Sequence, residues 1–119
     1  MAFSEETANR VRELLLFKNA DFYEKAMFGG LCFMVDDKMC CGIRIDKKTG
    51  EELLMCRAGE NAYDKMIESN YVIPMRFTNK VMKGFLYITE DGFRSNKDLN
   101  YWLQLCLDYN PIANRSKRK

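Results

Sequence analysis

The sequence predicts an α+β domain, a two-layer sandwich of an antiparallel sheet and helices in the order α-β-β-β-α-β-β-α. Three observations predict this fold. Two groups of short segments alternate apolar and polar residues with a period of two, which is typical of strands. Three other segments repeat apolar residues at helical spacing. Short connections between the strands favour antiparallel neighbours, and this mixture of elements favours helices packed on one sheet.

The size and composition of the chain suit a single domain. It has 119 residues, of which 47% are hydrophobic and 30% charged, too apolar a mixture for a disordered chain. We expect one domain over residues 1–110 and a basic tail over residues 111–119. No apolar run approaches the ~20 residues of a membrane span, and the first residues lack the order of a signal peptide. We therefore expect a cytoplasmic protein without membrane contact.

The first helix begins after Ser4, a good N-cap residue. Glu5 and Glu6 follow in the first turn, where carboxylates complement the helix dipole. Asn19 is a suitable end. The apolar stripe of this helix consists of Ala8, Val11, Leu14 and Leu15. The spacing predicts an amphipathic helix that packs on the sheet.

The central element is a hairpin of Met27–Val35 and Lys38–Ile45 around the pair Asp36-Asp37. Two Asp residues tolerate the positive φ angles of a two-residue turn. Strict alternation then collects the most apolar side chains on one face, which we expect to be the core beneath the helices. This predicted core face contains Phe28, Cys32, Met34, Met39, Cys41, Ile43 and Ile45.

The same alternation predicts the strand registers. Phe33 lies opposite Cys40, and Cys32 lies opposite Cys41. In the next strand Cys56 lies opposite Cys41 and joins the core face with Leu54 and Ala58. The remaining elements are a strand Leu53–Ala58, a helix Gly59–Ser69, strands Met75–Phe77 and Val81–Ile88 around Thr78-Asn79-Lys80, and a helix capped by Ser95 and ended by Pro111. Pro74 indicates an edge strand or the first residue of a strand.

A second apolar set alternates with the predicted core. It consists of Leu31, Phe33, Val35, Leu53 and Met55. An apolar cluster on the sheet face away from the helices is a partner surface, or else another element covers it. We expect a protein partner or a homodimer to bind these five residues, because a two-fold axis covers both copies with one patch.

The residues suited to catalysis are few. The sequence has no histidine, which is the commonest general base. Its five cysteines are an odd number, so we expect reduced thiols that pack as small hydrophobic groups. Alignment of Cys32, Cys41 and Cys56 across three strands leaves a redox or metal cluster as the alternative. We expect no catalytic residues, no metal and no cofactor.

Cations provide two candidate anion sites. Arg44, Arg57 and Lys83 lie within predicted strands and form either an anion-binding patch or ordinary salt bridges. The tail has four cations, at Arg115, Lys117, Arg118 and Lys119. This tail is a solvated segment, or it contacts the phosphates of a nucleic acid.

Five segments together resemble the amino-terminal domain of the TfoX/Sxy family of bacterial competence regulators. They are MFGGLCFMVDDKMCCGI, LMCRAG, AYDKM, PMRFTNKVMKGFLYI and DLNYWLQLCLDYN, within residues 22–110. We expect a stand-alone form of this domain, without the family's carboxy-terminal helical domain. It also has Asp37 where the family often has a turn glycine and Val81 where a proline is common.

The resemblance implies an α+β fold similar to secretion-chaperone-like folds and supplies no catalytic residues. It implies a role like that of competence regulators, which act in concert with the cyclic-AMP receptor protein. The leading hypothesis is a non-enzymatic regulatory or protein-interaction domain. The alternative is an enzyme or accessory factor acting on nucleic acid, related to RNA modification.

Overall fold

The computed structural model describes residues 2–77 and 80–113. Its elements are α1 (Glu5–Phe17), β1 (Phe22–Met27), β2 (Gly30–Val35), β3 (Lys38–Ile45), β4 (Glu52–Arg57), α2 (Glu60–Met66), β5 (Val72–Phe77), β6 (Lys80–Thr89), a short 3₁₀ helix (Glu90–Phe93) and α3 (Asn96–Tyr109). The strands form one sheet in the order β1-β2-β3-β4-β6-β5, and every neighbouring pair is antiparallel. The predicted α+β class is confirmed.

The helices form where the sequence predicts them, because their caps and apolar stripes are local signals. The Ser4 side chain accepts a hydrogen bond from the backbone N–H of Thr7, and Ser95 accepts one from Asp98. Predicted α2 was longer than the observed helix by a few residues at its end. The Trp102 indole donates to the backbone carbonyl of Gly92 at 2.9 Å, which anchors α3 to the 3₁₀ helix.

One strand was missed. The sequence placed Met27–Val35 in a single strand, but β1 ends at Met27 and a two-residue turn follows. Phe28 and Gly29 both have positive φ, 56° and 74°. Glycine commonly adopts positive φ in such a turn, but a bulky residue such as Phe28 rarely does. Only one of the two turn residues therefore indicates the turn in the sequence.

The predicted turn at Asp36-Asp37 is confirmed, with φ of 56° and 60°. Val35 lies opposite Lys38 as predicted. The register then shifts by one residue, because Cys40 is an extra residue that forms a β-bulge in β3. The predicted pairs of Phe33 with Cys40 and of Cys32 with Cys41 are therefore wrong.

Cys41 instead lies opposite Phe33, and Gly42 lies opposite Cys32. The predicted pair of Cys41 with Cys56 is confirmed, because it lies beyond the bulge. A shift of one residue exchanges the two faces of a strand. The bulge therefore divides the predicted core face between the two sides of the sheet.

We call the two sides the helix face and the strand face. The helix-face core joins side chains of all three helices to the sheet: Ala8, Val11, Leu15, Leu31, Phe33, Cys41, Ile43, Leu54, Cys56, Tyr63, Leu86, Ile88, Leu99, Leu103 and Cys106. The strand-face cluster consists of strand and turn residues: Cys32, Met34, Met39, Met55 and Met75, with Met27, Phe28, Met82, Phe85 and Tyr87 packed against them. The prediction that Phe28, Cys32, Met34 and Met39 lie under the helices is wrong.

A buried lysine joins the central hairpin to the end of α3. Lys38 is 4% exposed, and its Nζ donates to the backbone carbonyl of Asn110 at 2.8 Å. The Asn110 side chain donates in return to the carbonyl of Val35 at 3.1 Å. Asp36 lies 3.4 Å from the lysine Nζ. A cation at a helix carboxy-terminus also complements the helix dipole.

The second hairpin lies at the sheet edge. Pro74 lies in β5, which is an edge strand of the sheet. An edge position suits proline, because proline has no N–H to donate to a second neighbouring strand. The predicted turn of this hairpin includes Thr78 and Asn79, which lie outside the described residues. In the part of the chain that the structure describes, no helix is long and apolar enough to cross a membrane.

We predict that Asp37→Gly stabilises the protein by about 0.5–1 kcal/mol, because glycine adopts positive φ without the steric cost of a side chain. Urea unfolding measures the change. Asp37→Val is the matched control and should destabilise the protein, since a β-branched residue is least suited to this φ. A less stable Asp37→Gly protein would contradict the prediction.

We predict that Lys38→Met costs about 1–3 kcal/mol, because the buried carbonyl of Asn110 loses its donor. The control is Lys83→Met, which removes an exposed lysine 3.8 Å from Asp64 and should change stability by less than about 0.5 kcal/mol. Urea unfolding compares both variants with the unmutated protein. Equal stabilities of the two variants would show that the buried contact contributes little.

Candidate functional site

Strand pairing arranges the strand face in rows, since directly opposite residues share a face. One row runs through Met27, Gly30, Arg44, Leu53 and Thr89. The next runs through Lys25, Cys32, Gly42, Met55, Tyr87 and Ile73. A third contains Tyr23, Met34 and Met39, and Arg57 pairs with Phe85 on the same face.

Methionines at the centre of this face are buried, although their cluster contains no helix residue among those that the structure describes. Met34, Met39, Met55 and Met75 are 3%, 4%, 0% and 1% exposed. Arg44 supplies part of the cover. It lies on β3, and its Nη1 donates to the Tyr87 hydroxyl on β6 at 3.1 Å. Because β4 lies between those strands, the arginine side chain crosses over β4. Its apolar stem shields the surface beneath it.

Each strand-face arginine interacts with an aromatic ring. The Arg44 guanidinium carbon lies 5.8 Å from the Tyr87 ring centre, and that of Arg57 lies 5.3 Å from the Phe85 ring centre. Both distances suit a cation–π interaction. The strand face therefore presents a layer of paired arginine and aromatic side chains above a methionine interior.

The Arg44 guanidinium has one unused donor. Its Nε is buried and has no hydrogen-bond partner among the described residues. The position of a Cβ on Gly29 would lie 3.9 Å from the Nε, Cζ and Nη2 atoms of this arginine. That is an ordinary van der Waals distance, so Gly29 lies close beside the guanidinium, and the Nε is enclosed by the protein.

The structure does not bring the predicted anion-binding residues Arg44, Arg57 and Lys83 together. Arg44 lies opposite Leu53, four residues before Arg57 on β4, so about 13 Å separate the two positions along the strand. Lys83 is exposed beside Asp64, at 3.8 Å. Arg44 and Arg57 share the strand face, whereas Lys83 forms a separate ion pair.

The five residues predicted as an interaction surface do not share one face. Leu31 and Phe33 belong to the helix-face core, and Val35 packs against it. Met55 belongs to the strand-face cluster, and Leu53 is 7% exposed. The assignment of Leu31, Phe33 and Val35 to the face away from the helices is wrong, because α1 and α3 pack on them.

Four thiols meet in the helix-face core. The bulge turns both Cys40 and Cys41 towards the helices, where they lie with Cys56 and Cys106, all 0–1% exposed. All five cysteines are free thiols. Within the described ranges, no group of three or more Cys, Asp or Glu side chains can hold a metal ion. The predicted alignment of Cys32 with Cys41 is wrong, since Cys32 lies on the strand face.

The pKa values of Cys32, Cys41 and Cys106 are raised. The pKa of the Cys41 thiol lies well above its usual value, mainly because of a hydrogen bond with Cys40 and also because the thiol is buried. The pKa of the Cys106 thiol is also raised well above its usual value, mainly by a hydrogen bond with Cys56 and also by burial. Burial raises the pKa of Cys32 to about 12. Because the thiolate is the reactive form, these groups are poor nucleophiles at neutral pH.

A groove of about 350 Å³ lies between α2 and α3. Its lining includes Ala58, Asn61, Ala62, Lys65, Met66, Tyr101, Leu105, Asp108, Tyr109 and Ile112. Ile112 is 73% exposed and Tyr101 is 45% exposed, so large apolar surfaces face solvent here. The Tyr101 hydroxyl lies 3.9 Å from the Met66 sulfur, which joins the two helices.

The sequence analysis did not identify this groove. It used α3 only for its buried stripe, although Tyr101, Leu105 and Ile112 follow at spacings of four and seven residues on the outer side. That second stripe was visible in the sequence. The partner element α2 could not be placed beside it without the fold.

Comparison with family models decides the family. The model of the TfoX N-terminal domain matches residues 15–109. This chain belongs to the TfoX N-terminal domain family. The match covers β1–β6, α2 and α3, and therefore includes the strand face and the groove apart from Ile112. Comparison with curated proteins and comparison with solved structures each gave no match.

We predict that stability falls above about pH 9. The unfolded chain then loses thiol protons that the folded protein keeps, so the folded state binds more protons and stability decreases as pH rises. The expected loss is up to roughly 1.4 kcal/mol per pH unit for each thiol of raised pKa. Below about pH 8 these thiols should have no effect.

Urea unfolding across this pH range measures the loss. The control is the double variant Cys32→Ala/Cys106→Ala, which retains every other ionisable group. Its decline with pH should be shallower than that of the unmutated protein. Parallel pH profiles would contradict the prediction.

Proposed function

We propose that this domain is a non-enzymatic regulatory domain that acts by binding another protein. Membership of the TfoX N-terminal domain family supports a regulator-like role. The single observation that supports protein binding is the α2–α3 groove, where Ile112 and Tyr101 both expose large apolar surfaces. Exposed apolar groups concentrated in a groove are typical of a protein contact.

The chemistry of the side chains supports binding over catalysis. The sequence has no histidine, and its cysteines are buried. Glu24 is ion-paired with Arg12 at 2.6 Å, and Glu52 accepts a hydrogen bond from Thr7 at 2.5 Å. These carboxylates join α1 to the sheet, which is a structural role.

We infer that the groove binds an amphipathic helix. Tyr101, Leu105 and Ile112 form an apolar stripe along one side, at the spacing that a packed helix contacts. Lys65 and Asp108 line the same groove with opposite charges. A partner helix with an apolar stripe, an acidic residue for Lys65 and a basic residue for Asp108 fits this arrangement.

The proposal includes a cytoplasmic location. All five cysteines are free thiols, although Cys41 and Cys56 are directly opposite on neighbouring strands. Free thiols persist in a reducing compartment, which supports this location.

We predict that Tyr101→Glu and Ile112→Asp abolish capture of the partner from the native cell by tagged protein. A charge in the groove opposes burial of an apolar stripe, and both side chains are exposed enough for the fold to tolerate the change. Phe17→Asp is the matched control, because Phe17 is 84% exposed at the end of α1, outside the groove.

A protein captured by the unmutated chain and by Phe17→Asp, but lost from both groove variants, supports the proposal. A protein captured equally by all four chains overturns the groove as its site. Mass spectrometry identifies the captured protein, and circular dichroism confirms that each variant is folded.

Self-association is a second form of this proposal, in which α3 of another copy occupies the groove. Phe33→Asp is unsuitable as a test because Phe33 is 0% exposed and the variant would unfold. Sedimentation equilibrium at micromolar concentration with Ile112→Asp is suitable. A dimer of the 14.0 kDa chain that this variant converts to monomer supports self-association. A monomer in both cases leaves another protein as the occupant.

A further inference from the structure

The strand face has an uneven distribution of charge. Its rows contain three cations, Lys25, Arg44 and Arg57, and no Asp or Glu occupies a described position in them. The carboxylates of the same strands point to the other side: Glu24 contacts Arg12 of α1, and Glu52 contacts Thr7 of α1. Alternation along each strand therefore separates cations from carboxylates across the sheet.

Carboxylates near this face lie at its margins. Asp37, in the turn of the central hairpin, accepts a hydrogen bond from Tyr23 at 3.1 Å. Asp64 of α2 lies beside Lys83. The middle of the face, from Arg44 to Arg57, is cationic and aromatic.

Ring surfaces lie among the cations. Tyr23 is 48% exposed on β1, Tyr87 is half-buried on β6, and Ile73 beside it is 43% exposed. The row from Lys25 to Ile73 crosses all six strands, which is roughly 24 Å at the usual strand spacing. This is long enough for several nucleotides of an extended single strand.

We propose that the strand face binds a single-stranded nucleic acid, with Arg44, Arg57 and Lys25 contacting phosphates and Tyr23 and Tyr87 contacting bases. Cations that follow the backbone and rings that stack on exposed bases are what such proteins use. Arg44 is the best-oriented phosphate contact, because the hydrogen bond from its Nη1 to the Tyr87 hydroxyl, at 3.1 Å, holds the guanidinium in place on this face.

Two other occupants fit less well. A second copy of this chain would bring Arg44 and Arg57 of one molecule against those of the other, and like charges oppose such a contact. A duplex hides its base faces and leaves the tyrosine rings without a partner. A single strand uses both the cations and the rings. The inference is independent of the proposed groove, which lies among the helices.

The test measures fluorescence anisotropy of labelled oligothymidine and oligouridine, each of about 12 nucleotides, with the full chain. We expect a Kd of about 1–100 μM at about 50 mM salt for both, because no base-specific contact is invoked. The logarithm of affinity should fall with the logarithm of salt concentration with a slope near −2, as about three phosphate contacts require.

Arg44→Met and Arg57→Met retain an apolar stem over the methionines and should each weaken binding at least about fivefold. Lys25→Met changes an exposed edge residue with little risk to folding and should weaken binding about two- to threefold. Lys97→Met is the control, since it removes an equal charge from an exposed position of α3. It should bind as the unmutated protein does.

The basic tail needs its own control, a full chain with Arg115, Lys117, Arg118 and Lys119 all changed to Gln. Retained affinity in this chain, with loss in the strand-face variants, supports the proposal. Loss in the tail variant alone, or equal affinity of Arg57→Met, Lys25→Met and Lys97→Met, overturns it.

Two further arms complete the test. A Kd above about 1 mM for both oligonucleotides overturns the proposal. Tighter binding of a peptide of alternating Glu and Leu, equal in charge to the oligonucleotide, also overturns it and assigns the face to an acidic protein. Ile112→Asp should leave oligonucleotide binding unchanged, so this inference and the groove can fail separately.

Discussion

The extra residue Cys40 in β3 decides how this domain distributes its side chains. Before the bulge, Met39 belongs to the strand face; after it, Cys41 and Ile43 belong to the helix face. Gly42 and Arg44 are consequently directed to the strand face. Without this one-residue shift, Arg44 would point at the helices and could not reach Tyr87. The helix-face core, the thiol cluster and the arginine layer therefore all depend on one bulge.

Local signals predicted most elements of the fold, and their arrangement in space was harder to obtain. Ser4, Ser95 and the Asp36-Asp37 turn are recognisable because the residues act on their own backbone neighbours. The bulge is different, because the sequence of Met39, Cys40 and Cys41 cannot be distinguished from that of a regular strand. The register beyond the bulge places Phe33 opposite Cys41, and no local sequence pattern encodes that pairing.

The candidate sites show the same division. Arg44 and Arg57 could be named from the sequence as cations within strands, but their aromatic partners Tyr87 and Phe85 lie 43 and 28 residues later in the chain. The five residues proposed as a surface were chosen by alternation alone. Alternation groups side chains without saying which group the helices cover, so Leu31 and Phe33 were assigned to the wrong side.

The strand order also determines which contacts can form early in folding. The pairs β1-β2, β2-β3 and β3-β4 join consecutive strands, so each closes a short loop at low entropic cost. β4 pairs with β6 across α2 and β5, and Lys38 meets Asn110 across 72 residues. Contacts of such sequence separation form late. We therefore expect the four-stranded meander to form before the second hairpin and α3 are added. In hydrogen exchange, amides of β2 and β3 should be the last to open.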